Sequence, residues 1–128
     1  MSDRKLKKIL LIEDEKALLD VMSIKLKGSN FEVFSASGGE AGIRLAREKK
    51  PDLILLDILM PKMNGYEALE RLKGDAETRD IPVIILSNSG RDEEEIEKCR
   101  RLGAADYLVK AQLSLDEVVK KSETMLKG

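Results

Sequence analysis

Apolar residues in this chain gather into runs that end on a polar group. Lys8-Ile9-Leu10-Leu11-Ile12 leads into Glu13-Asp14-Glu15, Leu53-Ile54-Leu55-Leu56 into Asp57, and Ile81-Pro82-Val83-Ile84-Ile85-Leu86 into Ser87. Unbroken aliphatic runs of this length are the pattern of strands buried on both faces. Pro51 and Pro61 bracket the second run, and Pro82 stands near the start of the third, where its missing N–H is tolerated. Phe31-Glu32-Val33-Phe34 alternates instead and predicts a more exposed edge strand. Ala104 to Lys110 supplies a short fifth strand that ends in lysine.

Between the runs the period lengthens to that of a helix. Leu18, Val21, Met22 and Leu26 recur from Glu15 to Lys27, with Gly28 as a stop. Ser37-Gly38-Gly39-Glu40 reads as a capping box before Ile43, Leu45 and Ala46, and Tyr66, Leu69 and Leu72 share one side of the segment from Asn64 to Lys73. Ser114-Leu115-Asp116-Glu117 is another capping box, opening a helix whose stripe is Leu115, Val118, Val119, Ser122 and Leu126. The segment from Asp92 to Leu102 offers only Ile96, Cys99 and Leu102 for burial, with Cys99 expected to be semi-buried, so this helix should be loosely held. Five strands thus alternate with five helices. Crossovers of this length join parallel strands, which predicts an α/β doubly wound sheet with helices on both faces. A chain of 128 residues predicts one domain, residues 1–128, with no output domain.

Composition removes several classes of function. The 23 basic and 24 acidic residues nearly cancel, so direct nucleic-acid binding through bulk charge is not expected. No stretch approaches the roughly 20 apolar residues that cross a bilayer, so membrane insertion is not expected and a cytoplasmic location is. The chain has no histidine and one cysteine, which excludes Ser-His-Asp and Cys-His catalysis, the usual zinc ligand sets and an internal disulfide. Oxygen chemistry and lysine remain.

In a parallel sheet the carboxyl ends of the strands share one edge, so Glu13, Asp14, Asp57, Ser87 and Lys110 converge. Taken alone, Asp57 could simply cap the helix that begins near Asn64. The group as a whole points further. Clustered carboxylates repel unless a cation sits among them, and Mg2+ takes oxygen ligands and often shares its site with a phosphoryl group. The chemistry this suggests is Mg2+-dependent phosphoryl transfer, with Asp57 as nucleophile, Glu13 and Asp14 holding the metal, and Lys110 and Ser87 donating an ion pair and a hydrogen bond. An ionised carboxylate needs no general base, so the missing histidine is no obstacle.

The runs Ile9-Leu10-Leu11-Ile12-Glu13-Asp14-Glu15, Leu53 to Asp57 with Met60-Pro61-Lys62-Met63-Asn64-Gly65, and Tyr107-Leu108-Val109-Lys110 resemble a response-regulator receiver domain of the stand-alone, chemotaxis-regulator-like kind. The resemblance implies a flavodoxin-like strand order of 2-1-3-4-5. It also implies that Asp57 accepts the phosphoryl group of a phosphohistidine on a sensor histidine kinase or histidine phosphotransfer protein. Asp14, Asp57 and the backbone carbonyl of Leu59 would ligate Mg2+, with Glu13 acting through water. Ser87 and Tyr107 would form the switch that alters the surface of the fourth helix, fifth strand and fifth helix toward an unknown downstream protein. Such a domain catalyses its own phosphoryl transfer and dephosphorylation without being a conventional enzyme. Leu59, Asn88 and Ser89 flank the pocket and are candidates for tuning the phosphate's lifetime.

Three residues depart from the family pattern. Ala111 follows Lys110 where proline is usual, which favours a trans peptide because a cis bond before alanine costs about 3 kcal/mol, and which changes the loop that aims the lysine. Asn88 is larger than the usual small residue, and Glu13 replaces an aspartate. Ala111 and Asn88 keep open an alternative, a non-phosphorylated pseudo-receiver acting as a protein interaction module. A metal-dependent phosphatase ranks last, since it would need an aspartate where Leu59 stands.

Overall fold

Each long aliphatic run becomes a strand in the computed structural model, which describes residues 6–60, 62–87, 93–112 and 114–127. The strands are β1 (Lys7–Ile12), β2 (Phe31–Ala36), β3 (Leu53–Asp57), β4 (Val83–Ser87) and β5 (Asp106–Val109). They alternate with α1 (Lys16–Gly28), α2 (Gly39–Lys49), α3 (Gly65–Gly74), α4 (Glu93–Arg101) and α5 (Leu115–Met125). All the pairings are parallel and the order is β2-β1-β3-β4-β5, the flavodoxin-like arrangement.

Side chains alternate across a strand, and here the alternation sorts the core into two layers. Leu10, Ile12, Ile54, Leu56, Val83 and Ile85 face Ile43, Ala46, Leu69, Leu72 and Cys99 of α2, α3 and α4. Ile9, Leu11, Leu53, Leu55, Ile84 and Leu86 face Leu19, Met22, Leu26 and Val118 of α1 and α5. Every residue of β3 and β4 is buried, each large aliphatic side chain contributing about 2 kcal/mol of burial. The rigid centre of the sheet therefore ends at Asp57 and Ser87.

Several local expectations change. Ser37 does not cap α2: Gly38 is its N-cap and makes no side-chain bond. Val21 is 45% exposed and Leu19 is buried in its place, so the buried stripe of α1 is Leu19, Met22 and Leu26, packed in the layer formed by the sheet and α5. Cys99 is fully buried rather than half-buried, and it is the only buried residue of α4. β2 runs on to Ala36, while β5 stops at Val109 and hands over to a 3-10 turn, Lys110–Gln112. The capping box at Ser114 and Glu117 forms as expected.

One glycine fixes the geometry after β3. A Cβ on Gly65 would lie 2.5 Å from both the Asp57 carbonyl oxygen and the Ile58 Cα, so only glycine lets α3 start against the end of that strand. Its N–H donates to the Ile58 carbonyl at 2.7 Å.

Candidate functional site

Strand register sets the site. Ile12 pairs with Leu56, Asp57 with Leu86, and Ser87 with Val109, so the residues that follow or end these strands meet on one edge. Glu13 carries the ladder one step past β1, its N–H donating to the Ala36 carbonyl at 3.0 Å. Its side chain is fully buried, and Oε2 accepts from the Glu15 N–H at 3.0 Å, just ahead of α1. Asp57, 1% exposed, accepts at Oδ1 from the Leu59 N–H at 3.3 Å. Asp57 does not cap α3, because Asn64 does so by accepting from the Glu67 N–H at 2.9 Å. The bland explanation for the buried carboxylate is thereby removed.

Lys110 closes the group. Its Nζ lies 2.8 Å from Glu13 Oε1 and 3.2 Å from Asp57 Oδ1, with only a tenth of its side chain exposed. The Lys110–Ala111 peptide is trans, as the sequence favours, and the lysine still reaches the aspartate. Asp14 is exposed at the mouth, and one oxygen from each of Glu13, Asp14 and Asp57 lies within 4.8 Å of the others. Burial and the neighbouring Glu13 push the Asp57 carboxyl up to about 7, although Lys110 and the Leu59 N–H pull it back. Burial alone would lower the Lys110 ammonium, but Glu13 and Asp57 outweigh it and hold that group above its usual range.

These residues suit a hard divalent cation. Glu13 Oε1 is buried, and the Lys110 ammonium 2.8 Å away is the partner it has. When ionised, the three carboxylates outnumber the single ammonium and leave an excess of negative charge around a set of hard oxygen donors.

Ser87 closes β4, and α4 supplies a partner for its side chain. Its hydroxyl is buried at the end of β4 and donates to Glu95 Oε2 of α4 at 2.5 Å. The Tyr107 hydroxyl donates to the same oxygen. Burial first, and the Glu95 bond next, push the Tyr107 phenol up to about 12, so it stays a neutral donor. Tyr66, read from sequence as a packing residue, joins the same neighbourhood: Lys98 Nζ sits 4.0 Å from its ring centroid, and burial together with Glu95 raises its phenol. Leu59 has its side chain 57% exposed beside the site, while Asn88 and Ser89 lie outside the described residues. Sequence reasoning missed Glu95, since Glu93-Glu94-Glu95 reads as the solvated acidic first turn of a helix.

A buried aspartate at the carboxyl edge of a parallel sheet, paired to a lysine and flanked by two acids, defines a class of signalling domain. The family model for the response regulator receiver domain matches residues 9–123, and the chain belongs to that family. It is 38% identical over 120 residues to Protein PilH of Pseudomonas aeruginosa, covering 94% of this chain and 92% of PilH. It is 36% identical over 120 residues to the DNA-binding dual master transcriptional regulator RpaA of Synechocystis, covering 94% of this chain but 49% of RpaA. The chain thus spans nearly all of one such relative and about half of the other. Among solved structures, the phosphorylated cyanobacterial phytochrome response regulator RcpA superposes with a TM-score of 0.82 at 31% identity, covering 95% of each chain. Among the described residues no helix is long and apolar enough to cross a membrane.

Proposed function

We propose that the chain is a phosphorylation-activated receiver of a two-component phosphorelay, with Asp57 as the phosphoacceptor. The observation that carries this reading is the placing of Asp57, 1% exposed, with Lys110 Nζ 3.2 Å from its Oδ1 and Glu13 and Asp14 beside it. A carboxylate oxygen of Asp57 attacks the phosphorus of a phosphohistidine on a sensor histidine kinase or histidine phosphotransfer protein. The P–N bond breaks, the imidazole leaves with its electron pair and takes a proton, and an aspartyl phosphate remains. Residues 1–128 contain no histidine, so the phosphohistidine lies outside them.

Asp14, Asp57 and the Leu59 carbonyl would hold Mg2+, with Glu13 acting through water, and the ion would offset charge between the carboxylates and the incoming phosphoryl oxygens. Lys110 pairs with that group as its contact with Asp57 weakens, and Ser87 donates a hydrogen bond to it. Movement of Ser87 and Tyr107 then alters the α4-β5-α5 surface for a downstream protein, in the cytoplasm. The pseudo-receiver alternative gains nothing from Ala111, because Lys110 still reaches both acids.

Incubation with Mg2+ and acetyl phosphate, followed by intact mass measurement, tests the reading. The expected result is a base-labile phosphoryl adduct that needs Mg2+ and is lost in Asp57→Asn. No adduct from acetyl phosphate, from a cognate kinase or with beryllofluoride would instead favour the interaction module.

A further inference from the structure

We propose that Glu95 is a positioning residue, an acidic latch on α4 that competes with the phosphoryl group for the single hydroxyl proton of Ser87. The proposal rests on Asp57 being the phosphoacceptor and adds a control element to that site. Ser87 ends β4 directly beside β3, where Asp57 pairs with Leu86. Its side chain is 1% exposed, and its hydroxyl donates to Glu95 Oε2 at 2.5 Å, a short charge-assisted hydrogen bond. A serine hydroxyl carries one proton, so it cannot donate to Glu95 and to a phosphoryl oxygen at once.

The second donor on Glu95 makes the competition consequential. Tyr107 gives its hydroxyl to the same Oε2, so one carboxylate oxygen ties the end of β4, the start of α4 and β5 together. Departure of Ser87 toward a phosphoryl group removes one of these two donors and leaves the Tyr107 hydroxyl on that oxygen. Cys99 is the only buried residue of the helix, while Glu93, Glu94 and Glu97 are exposed. The carboxylate therefore resists activation by holding Ser87, and its release loosens the element whose surface changes. A static role is the competing explanation, in which Glu95 merely fastens α4 to the sheet.

Beryllofluoride, a phosphoryl mimic, separates the two in the presence of Mg2+, with affinity read from amide NMR titration of the full chain. Glu95→Ala should tighten binding about fivefold, the scale of one lost hydrogen bond to a charged group set against its replacement. Glu95→Gln retains one neutral acceptor and should fall between Glu95→Ala and the wild type. In a Ser87→Ala background the effect of Glu95→Ala should vanish, because the contested proton is gone; a fastening role would survive that substitution. Unchanged or weakened binding in Glu95→Ala, or equal tightening without Ser87, overturns the latch. Should Glu95→Ala not fold, Glu95→Gln decides, with about twofold tightening expected and none overturning the idea. Failure of the wild type to bind beryllofluoride would be seen before any Glu95 variant is made, and it would reject the phosphoacceptor reading together with the latch.

Discussion

Two groups of buried and half-buried polar side chains lie at this side of the sheet, and they are held in opposite ways. Glu13, Asp57 and Lys110 all extend from strand ends, and each is a charge whose burial is offset by an opposite charge among the others. Ser87 and Tyr107 are hydroxyls that meet on a carboxylate delivered by a sparsely packed helix. Removing Lys110 leaves two buried carboxylates without their shared cation, which is costly. A hydroxyl of the second can exchange one acceptor for another at small cost, because the number of hydrogen bonds is conserved. On the proposed function, chemistry would sit on the rigid part and switching on the adjustable part.

The largest expected effect comes from breaking the charged group. Lys110→Met leaves Glu13 and Asp57 side by side in a dry site, and in metal-free protein it should lower unfolding free energy by about 3–5 kcal/mol at pH 8. Protonation of Asp57 relieves the repulsion, so the loss should shrink toward pH 5. Urea unfolding at both pH values checks this, and equal losses would show that the pair is not electrostatically coupled.

Asp57→Asn should act in the other direction. The native carboxyl is raised to about 7, whereas the unfolded one titrates near 3.8, so between those values the native state binds more protons. Stability contributed by this group is present at low pH and lost as pH rises through about 7. Metal-free wild type should therefore weaken between pH 5 and 8, whereas Asp57→Asn should lack that component and be more stable at pH 8 by roughly 2 kcal/mol. A wild-type profile that rises over this interval would contradict the cited burial effect.

The backbone support of Asp57 gives a third test. Gly65→Ala drives a methyl into the Asp57 carbonyl and Ile58 Cα, and should cost about 2 kcal/mol while lowering adduct formation. Gly74, at the other end of α3, has open space around the same position, so Gly74→Ala should stay within about 0.5 kcal/mol of wild type. Thermal unfolding of the two variants compares them directly.

The charged group was legible from sequence because strands ending in carboxylates and lysine show as abrupt ends to aliphatic runs. Parallel pairing followed from crossover length alone, and the two-layer sorting follows from strict alternation in runs such as Val83 to Leu86. Helix rotation was less legible. Val21 and Leu19 are both apolar, and only the packing of α1 in the layer with the sheet and α5 decides which is buried. Glu95 left no sequence signal, since its partners lie 8 and 12 residues away on two different strands. A third glutamate in an acidic first turn becomes distinctive only once the sheet brings two hydroxyls to it.

The smallest predicted effect probes how α4 itself is held. Cys99 is 1% exposed, and burial, followed by the charge of Glu95, pushes its thiol up to about 11, so it acts as a small apolar anchor. Cys99→Ala should change global unfolding by about 1 kcal/mol or less. Its main consequence should be local, because α4 has no other buried side chain to restrain opening, while β3 is buried throughout. Amide hydrogen exchange should accelerate about fivefold across Glu93–Arg101 while β3 amides follow only the global change. If α4 and β3 instead accelerate together, the helix opens only when the whole sheet does, and the contrast between a rigid chemical group and an adjustable switch fails at its weakest point.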